Sequence, residues 1–224
     1  MRRLAFVFAF VSLFAARPAA ADVELLLRVG SIWVTDPSFD LVAETDAIPN
    51  LQIGAGIEAA GPLTFELTYG LASSSATTFE TFDASFTLHQ FLGAARYDVP
   101  LSERWRAYGR GAAGVEIGVL RIDDVAGFDS VGALGDTALD LGLEGTLGIQ
   151  LQLPISASDN RWAARLAFLM EAGYGWRPFA MSFSEADVSH DDDADPPPLR
   201  QGAIDVGELN LSGPILRFGA SLYF

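Results

Sequence analysis

The chain of 224 residues has no cysteine and no lysine, only two histidines, and no apolar run of membrane-helix length after residue 21. Without cysteine there is no disulfide framework, no thiolate nucleophile and no cysteine zinc site. All 14 basic residues are arginines, and 29 acidic residues outnumber them, for a formal net charge of −15. Such a chain is a poor partner for nucleic acid, whose affinity depends on cationic groups replacing counterions. A histidine-based triad could be built only around His89 or His190. Ser189-His190-Asp191 are merely sequence neighbours, whereas a triad is a spatial arrangement. His89, between Thr87-Leu88 and Gln90-Phe91, carries no hydrolase motif. Asp191, Asp193 and Asp195 have the alternate spacing that opens a calcium loop. Pro196 then stands where the invariant glycine belongs, and Gly202 where the closing glutamate belongs. That run reads as a solvated loop stiffened by Pro196-Pro197-Pro198. No catalytic residue, cofactor or metal site is expected, and the chain is read as a non-enzyme.

Residues 1–21 read as a cleaved export signal. Arg2 and Arg3 open it, Leu4–Ala16 is apolar, and Ala19-Ala20-Ala21 offers small residues to a signal peptidase. The apolar stretch is shorter than the ~20 residues a spanning helix requires. Cleavage would remove three arginines, lowering the charge from −15 to −18, and leave residues 22–224 as one domain.

What fills that domain is alternation. Leu139, Leu141, Leu143, Leu147, Ile149, Leu151 and Leu153 interleave with Asp140, Gly142, Glu144, Thr146, Gly148, Gln150 and Gln152. Strict period two over this length puts two classes of residue on the two faces of a strand. Similar patterns predict eight strands, near 23–34, 51–60, 63–71, 82–99, 105–119, 139–153, 162–176 and 206–224. Within 82–99 the apolar parity changes, from Phe82, Phe86 and Leu88 to Phe91, Tyr97 and Val99. One inserted residue flips the phase, so a bulge is predicted near Gln90. A second shift is predicted at Gly213-Pro214, because proline in a sheet is confined to edges and bulges.

A soluble barrel buries its apolar parity; an outer-membrane barrel turns it to lipid and fills the lumen with polar groups. Three features favour the second. Gly54, Gly56, Gly70, Ala112, Gly114, Gly118, Gly142, Gly148, Gly173 and Gly175 share the charged parity, which suits the crowded interior of an eight-stranded barrel. Trp33, Trp105, Trp162 and Trp176 lie near strand ends on the apolar parity, as an aromatic girdle would. Trp162 and Trp176 would be separated by roughly 35 Å along the barrel axis, close to the spacing of two girdles. Short connections near 60–62, 100–104 and 154–160 alternate with longer ones near 35–50, 72–81, 122–137 and 178–205, the arrangement of periplasmic turns and extracellular loops.

The chain therefore resembles the eight-stranded, antiparallel, up-and-down transmembrane β-barrels of outer membrane proteins A and X. The sharpest motif is the terminal strand, where Leu216, Phe218, Ala220 and Leu222 alternate toward Phe224. The resemblance implies that these five residues are the signal for the barrel-assembly machinery. It also implies residence in the outer membrane of a Gram-negative-type bacterium, among its lipids and lipopolysaccharide. No peptidoglycan-binding domain is expected after Phe224.

The loop ranges 35–50, 72–83, 122–137 and 178–205 hold 17 of the 29 acidic residues and one arginine, a net −16. The strands are then nearly neutral. Glu24, Arg28, Glu58, Glu66, Arg106, Arg110, Glu116, Asp140, Glu144, Arg165, Glu171 and Arg217 are candidates for a paired charge network in the lumen. The leading functional expectation is a surface-interaction barrel that meets an extracellular partner through loops 35–50, 122–137 and 178–205. The alternatives are a narrow channel through the charged lumen, an outer-membrane lipid hydrolase, and a soluble ligand-binding barrel.

Overall fold

A computed structural model describes residues 23–37, 39, 43, 45–78, 82–124, 134–154, 165–183 and 204–224. The expected signal peptide lies outside them. The strands are β1 (Val23–Trp33), β2 (Ala47–Ala60), β3 (Leu63–Thr78), β4 (Phe82–Pro100), β5 (Trp105–Asp124), β6 (Leu134–Pro154), β7 (Arg165–Trp176), β8 (Pro178–Phe183), β9 (Ile204–Asn210) and β10 (Gly213–Tyr223). Eight of them close a barrel in the order β1-β10-β7-β6-β5-β4-β3-β2, while β8 and β9 form a separate hairpin. Every neighbouring barrel pair is antiparallel. Closure leaves no free sheet edge where the ring is complete. Its seam is tied by Phe224 N donating to Val23 O at 2.9 Å, and Val23 N to Phe224 O at 3.3 Å.

The two described turns at the end holding Val23 and Phe224 are tight. Gly61-Pro62 joins β2 to β3, with Gly61 at φ +59°, a conformation glycine adopts at no steric cost. Between β4 and β5, Ser102 Oγ accepts from the backbone N–H groups of Arg104 and Trp105.

The strands depart from the sequence expectation in three ways. First, β3 runs to Thr78 and β4 starts at Phe82, so most of the expected loop 72–81 is strand. Residues 47–50, 122–124 and 134–137 likewise belong to strands rather than loops. Second, the segment 206–224 is two strands: the chain leaves the barrel at Leu211-Ser212, just before the predicted shift, and β9 pairs with β8. Pro214 sits at the start of β10, one position beyond the end of its ladder with β1. Third, there is no bulge at Gln90, which keeps continuous register with Gly70 on one side and Glu116 on the other.

The parity change at Gln90 has another cause. From Phe91 to Val99 the outward positions of β4 include Phe91, Tyr97 and Val99, while Leu92, Ala94, Arg96 and Asp98 point in. Beyond His89 the outward residues become Thr87, Ser85 and Asp83, and the inward ones are Leu88, Phe86 and Ala84. The neighbouring strand inverts at the same height: outward Leu67, Tyr69 and Leu71 give way to Ser73, Ser75 and Thr77, over inward Ala72 and Ala76. On β5 and β6 the outward apolar face extends to Val119 and Leu139 before Arg121 and Thr137 replace it. The phase never slips; the medium changes. Leu63 to Leu71 covers about 20 Å of axial height at a tilt near 40°, close to the ~25 Å apolar band of a membrane barrel. Above that band the wall faces water, and apolar side chains fill the inside.

Candidate functional site

The interior consequently has two storeys. In the lower one, Glu66, Arg110, Glu144, Arg217, Glu171 and Arg28 alternate around a closed ring of ion pairs, contributed by β3, β5, β6, β10, β7 and β1. Glu66 is held by Arg28 Nη2 at 2.9 Å and Arg110 Nε at 2.9 Å. Glu144 receives Arg110 Nη1 at 3.2 Å and Arg217 Nη2 at 2.7 Å. Arg217 Nη1 and Arg28 Nε reach Glu171 at 3.2 and 3.6 Å, which closes the circuit. All six side chains are essentially inaccessible. Desolvating an ion costs several kcal/mol, which one partner rarely offsets; here every carboxylate meets two arginines or more.

The ring extends both ways. Toward the termini, Arg96 donates to Glu66 at 2.7 Å, Glu24 at 2.8 Å and Asp98 at 3.2 Å. Toward the other end, Arg177 pairs with Glu144 and, at 3.1 Å, with Glu116, whose carboxylate also accepts from Gln90 Nε2 at 2.6 Å. Tyr108 donates to Glu171 at 3.1 Å. Small residues make the room. A Cβ on Gly142 would collide with the Glu116 carboxylate, one on Gly148 with the Tyr108 ring, and one on Gly175 with the Arg177 guanidinium.

The upper storey is apolar. Ile32, Val34, Phe39, Ile48, Phe86, Leu88, Leu120, Leu209 and Leu211 form one buried cluster. Phe39, 1% exposed, comes from the segment between β1 and β2 and packs edge-on against Phe86 at 6.3 Å. That segment is latched to the base of the β8–β9 hairpin: Asn210 N donates to Asp36 Oδ2 at 3.0 Å, and Thr35 Oγ1 to Ser212 O at 3.4 Å.

Of the lumen candidates, Arg28, Glu66, Arg110, Glu116, Glu144, Glu171, Arg217 and Glu24 lie in this network. Glu58 and Arg106 are half-buried at the terminal rim, beside Asp98 and Gly61. Asp140 turns back to accept from the N–H of Leu141 at 2.6 Å. Arg165 lies over the Tyr223 ring at 5.3 Å. Sequence reasoning omitted Arg96, Asp98 and Arg177. The signal was present, since Arg96 and Asp98 alternate with Tyr97 and Val99, and Arg177 continues the parity of Glu171.

Trp105 stands 44% exposed near the terminal end, and Trp176, 49% exposed, near the opposite end with half-buried Trp33. Trp162 lies outside the described residues, as do His190, Asp191, Asp193 and Asp195. Leu216, Phe218, Ala220, Leu222 and Phe224 occupy the outward positions of the terminal segment. The other histidine, His89, is on the outer wall, with Nδ1 2.8 Å from the Tyr69 hydroxyl.

A family model described as an outer membrane protein β-barrel domain matches residues 6–169. Among solved structures, Neisserial surface protein A is 11% identical with a TM-score of 0.49, over 90% of this chain and 95% of that one. Ail, the attachment invasion locus protein of Yersinia pestis, solved with the heparin analogue sucrose octasulfate, is 11% identical with a TM-score of 0.45, over 91% and 97%. No curated protein sequence matches the chain.

Proposed function

The chain belongs to the outer membrane protein β-barrel family, and from that premise we propose a non-enzymatic surface protein whose binding is done by its extracellular end. The observation that carries this reading is the filled interior. A neutralised Arg–Glu ring occupies the membrane storey, and the apolar cluster around Phe39 and Phe86 stands above it. An ion would have to break buried pairs and then cross a dry core, at a cost of several kcal/mol for each uncompensated charge. This argues for the surface role over the narrow-channel alternative.

Strands β3 to β6 rise past the lipid band, and β8 and β9 pair as a hairpin outside the barrel sheet. By the sequence, 17 of the 29 acidic residues fall in the ranges 35–50, 72–83, 122–137 and 178–205, assigned to this end. Such a field attracts cationic partners and repels anionic ones. The test is retention of fluorescent poly-lysine on cells displaying the full chain or a chain lacking residues 184–200. Binding should fall in the shortened chain while its heat-dependent gel shift, the sign of a closed barrel, persists. Equal retention on both would remove this loop from the proposal.

A further inference from the structure

We propose that a pocket at the rim opposite the acidic loops, lined by Glu58 of β2 and Arg106 of β5, binds a short zwitterionic peptide. Its ammonium end would sit on Glu58 and its carboxylate end on Arg106. Short turns and the paired ends Val23 and Phe224 mark this rim, which in outer-membrane barrels is the periplasmic one. The site lies away from the loops given a surface role above, so it stands whether or not they bind a partner.

The pocket has a volume of about 400 Å³, within the range of small-molecule sites. Backbone bonds fix its frame. Asp98 N donates to Pro62 O at 2.8 Å, which ties the β2–β3 turn to β4, and Leu101 N donates to Trp105 O at 2.9 Å, which closes the β4–β5 turn. Pro62 and Pro100 restrict the same backbone further. The space at Gly61 is open, since a carbon added there would meet no atom within 4 Å. A site held in this way has little ordering left to do when it is filled.

The charges that line it divide into committed and free. Asp98 is buried, and its carboxylate accepts from Arg96 Nε at 3.2 Å and from Thr64 Oγ1 at 3.4 Å. Glu58 and Arg106 are half-buried, yet among the described residues neither makes a hydrogen bond or ion pair. The other half-buried charges of the described side chains, Asp36, Asp136, Asp140 and Arg165, all have partners. Glu58 is opposite Thr64 of β3, and Arg106 is opposite Pro100 of β4. Two strands therefore stand between them, three spacings or about 14 Å of backbone. Withdrawing a charge from water without a partner is costly, and here two charges of opposite sign share that condition around one pocket.

That arrangement selects a ligand bearing both signs. A guanidinium takes a carboxylate in a bidentate pair, and an ammonium gives its donors to a carboxylate. Val99, Pro62 and Pro100 supply apolar surface for the body between the two ends. A simple amine or a simple acid would satisfy one charge and leave the other alone. A free amino acid holds both charges on one carbon, whereas two or three residues, extending up to about 3.6 Å each, set them far enough apart to reach β2 and β5 together.

The experiment titrates the isotope-labelled mature chain, refolded in detergent micelles, with trialanine and follows backbone amides by NMR. The amides of Gly61, Asp98 and Arg106 should shift saturably, while that of Gly213 at the other end stays in place. Glu58→Gln and Arg106→Gln should each raise the dissociation constant roughly tenfold, the worth of one charge-assisted contact, with the heat-dependent gel shift retained. On the unaltered chain, N-acetyl-trialanine and trialanine amide should each bind about tenfold more weakly than trialanine, a comparison that needs no variant to fold. No saturable shift, equal affinity for the blocked peptides or for free alanine, or binding unchanged by both substitutions would each overturn the proposal. Glycerophosphoethanolamine binding as tightly as trialanine would also overturn it, by assigning the pocket to a phospholipid headgroup.

Discussion

Replacing Glu66 by glutamine keeps the side-chain shape and removes one negative charge from a site that no water reaches. Three guanidiniums converge on that carboxylate, from Arg28 at 2.9 Å, Arg96 at 2.7 Å and Arg110 at 2.9 Å. Glutamine can still accept from two of them through its remaining oxygen, but its NH₂ group turns a donor toward the third. Breaking a buried pair by removing one partner costs about 3–5 kcal/mol, because the remaining charge is left uncompensated. Arg28 and Arg110 keep their second partners, Glu171 and Glu144, which places the expected loss near 4 kcal/mol. With a urea slope of about 2 kcal/mol/M, the midpoint should fall by about 2 M. The assay is urea unfolding of the refolded chain in lipid vesicles, followed by tryptophan fluorescence and by loss of the compact gel band. Glu58→Gln is the control: Glu58 is half-buried at the rim, and the stability should change by no more than about 0.5 kcal/mol. If Glu66→Gln unfolds with the unaltered chain to within that margin, the ring is ornamental and the barrel is held by its ladders alone.

The upper storey makes its own prediction: Phe86→Ala should cost about 3–5 kcal/mol by the same assay, since Phe86 is fully buried against Phe39; a loss under about 1 kcal/mol would show that the storey is not packed. Glycines separate the two faces of the wall. Gly142→Ala, which drives a methyl into the Glu116 carboxylate, should destabilise by about 1–3 kcal/mol. Gly145→Ala, on the lipid side with nothing within 4 Å of the added carbon, should be neutral or stabilising by up to about 1 kcal/mol. Planar bilayers holding verified, inserted protein should show no discrete conductance steps, and reproducible steps would restore the channel reading. Phe224→Asn should slow assembly in cells without altering the stability of protein refolded in vitro; equal assembly rates would detach the terminal residue from that role.

The sequence alone determined the barrel. Period-two alternation, glycines on the charged parity and an aromatic-terminated last strand need no tertiary information, because each reports a local requirement of a strand with lipid on one side. The same alternation marked all six residues of the ring, since a charge interleaved with leucines has only the lumen to enter, and left out Arg96, Asp98 and Arg177 around it. What the sequence could not separate was a phase slip from a change of surroundings. Phe82, Phe86 and Leu88 have the composition of lipid-facing residues, and one-dimensional pattern assigns them to lipid through a bulge at Gln90. Only the closed sheet shows that β4 keeps its register and climbs out of the band, so that the solvent inverts around an unbroken strand. Pairing of charges was equally a tertiary matter. Glu66 meets Arg96 from the neighbouring strand and Arg28 and Arg110 from strands that it does not pair with, at separations of 30 to 44 residues. No periodicity reports that distance, because the closure of the sheet, not the order of the chain, brings those strands face to face.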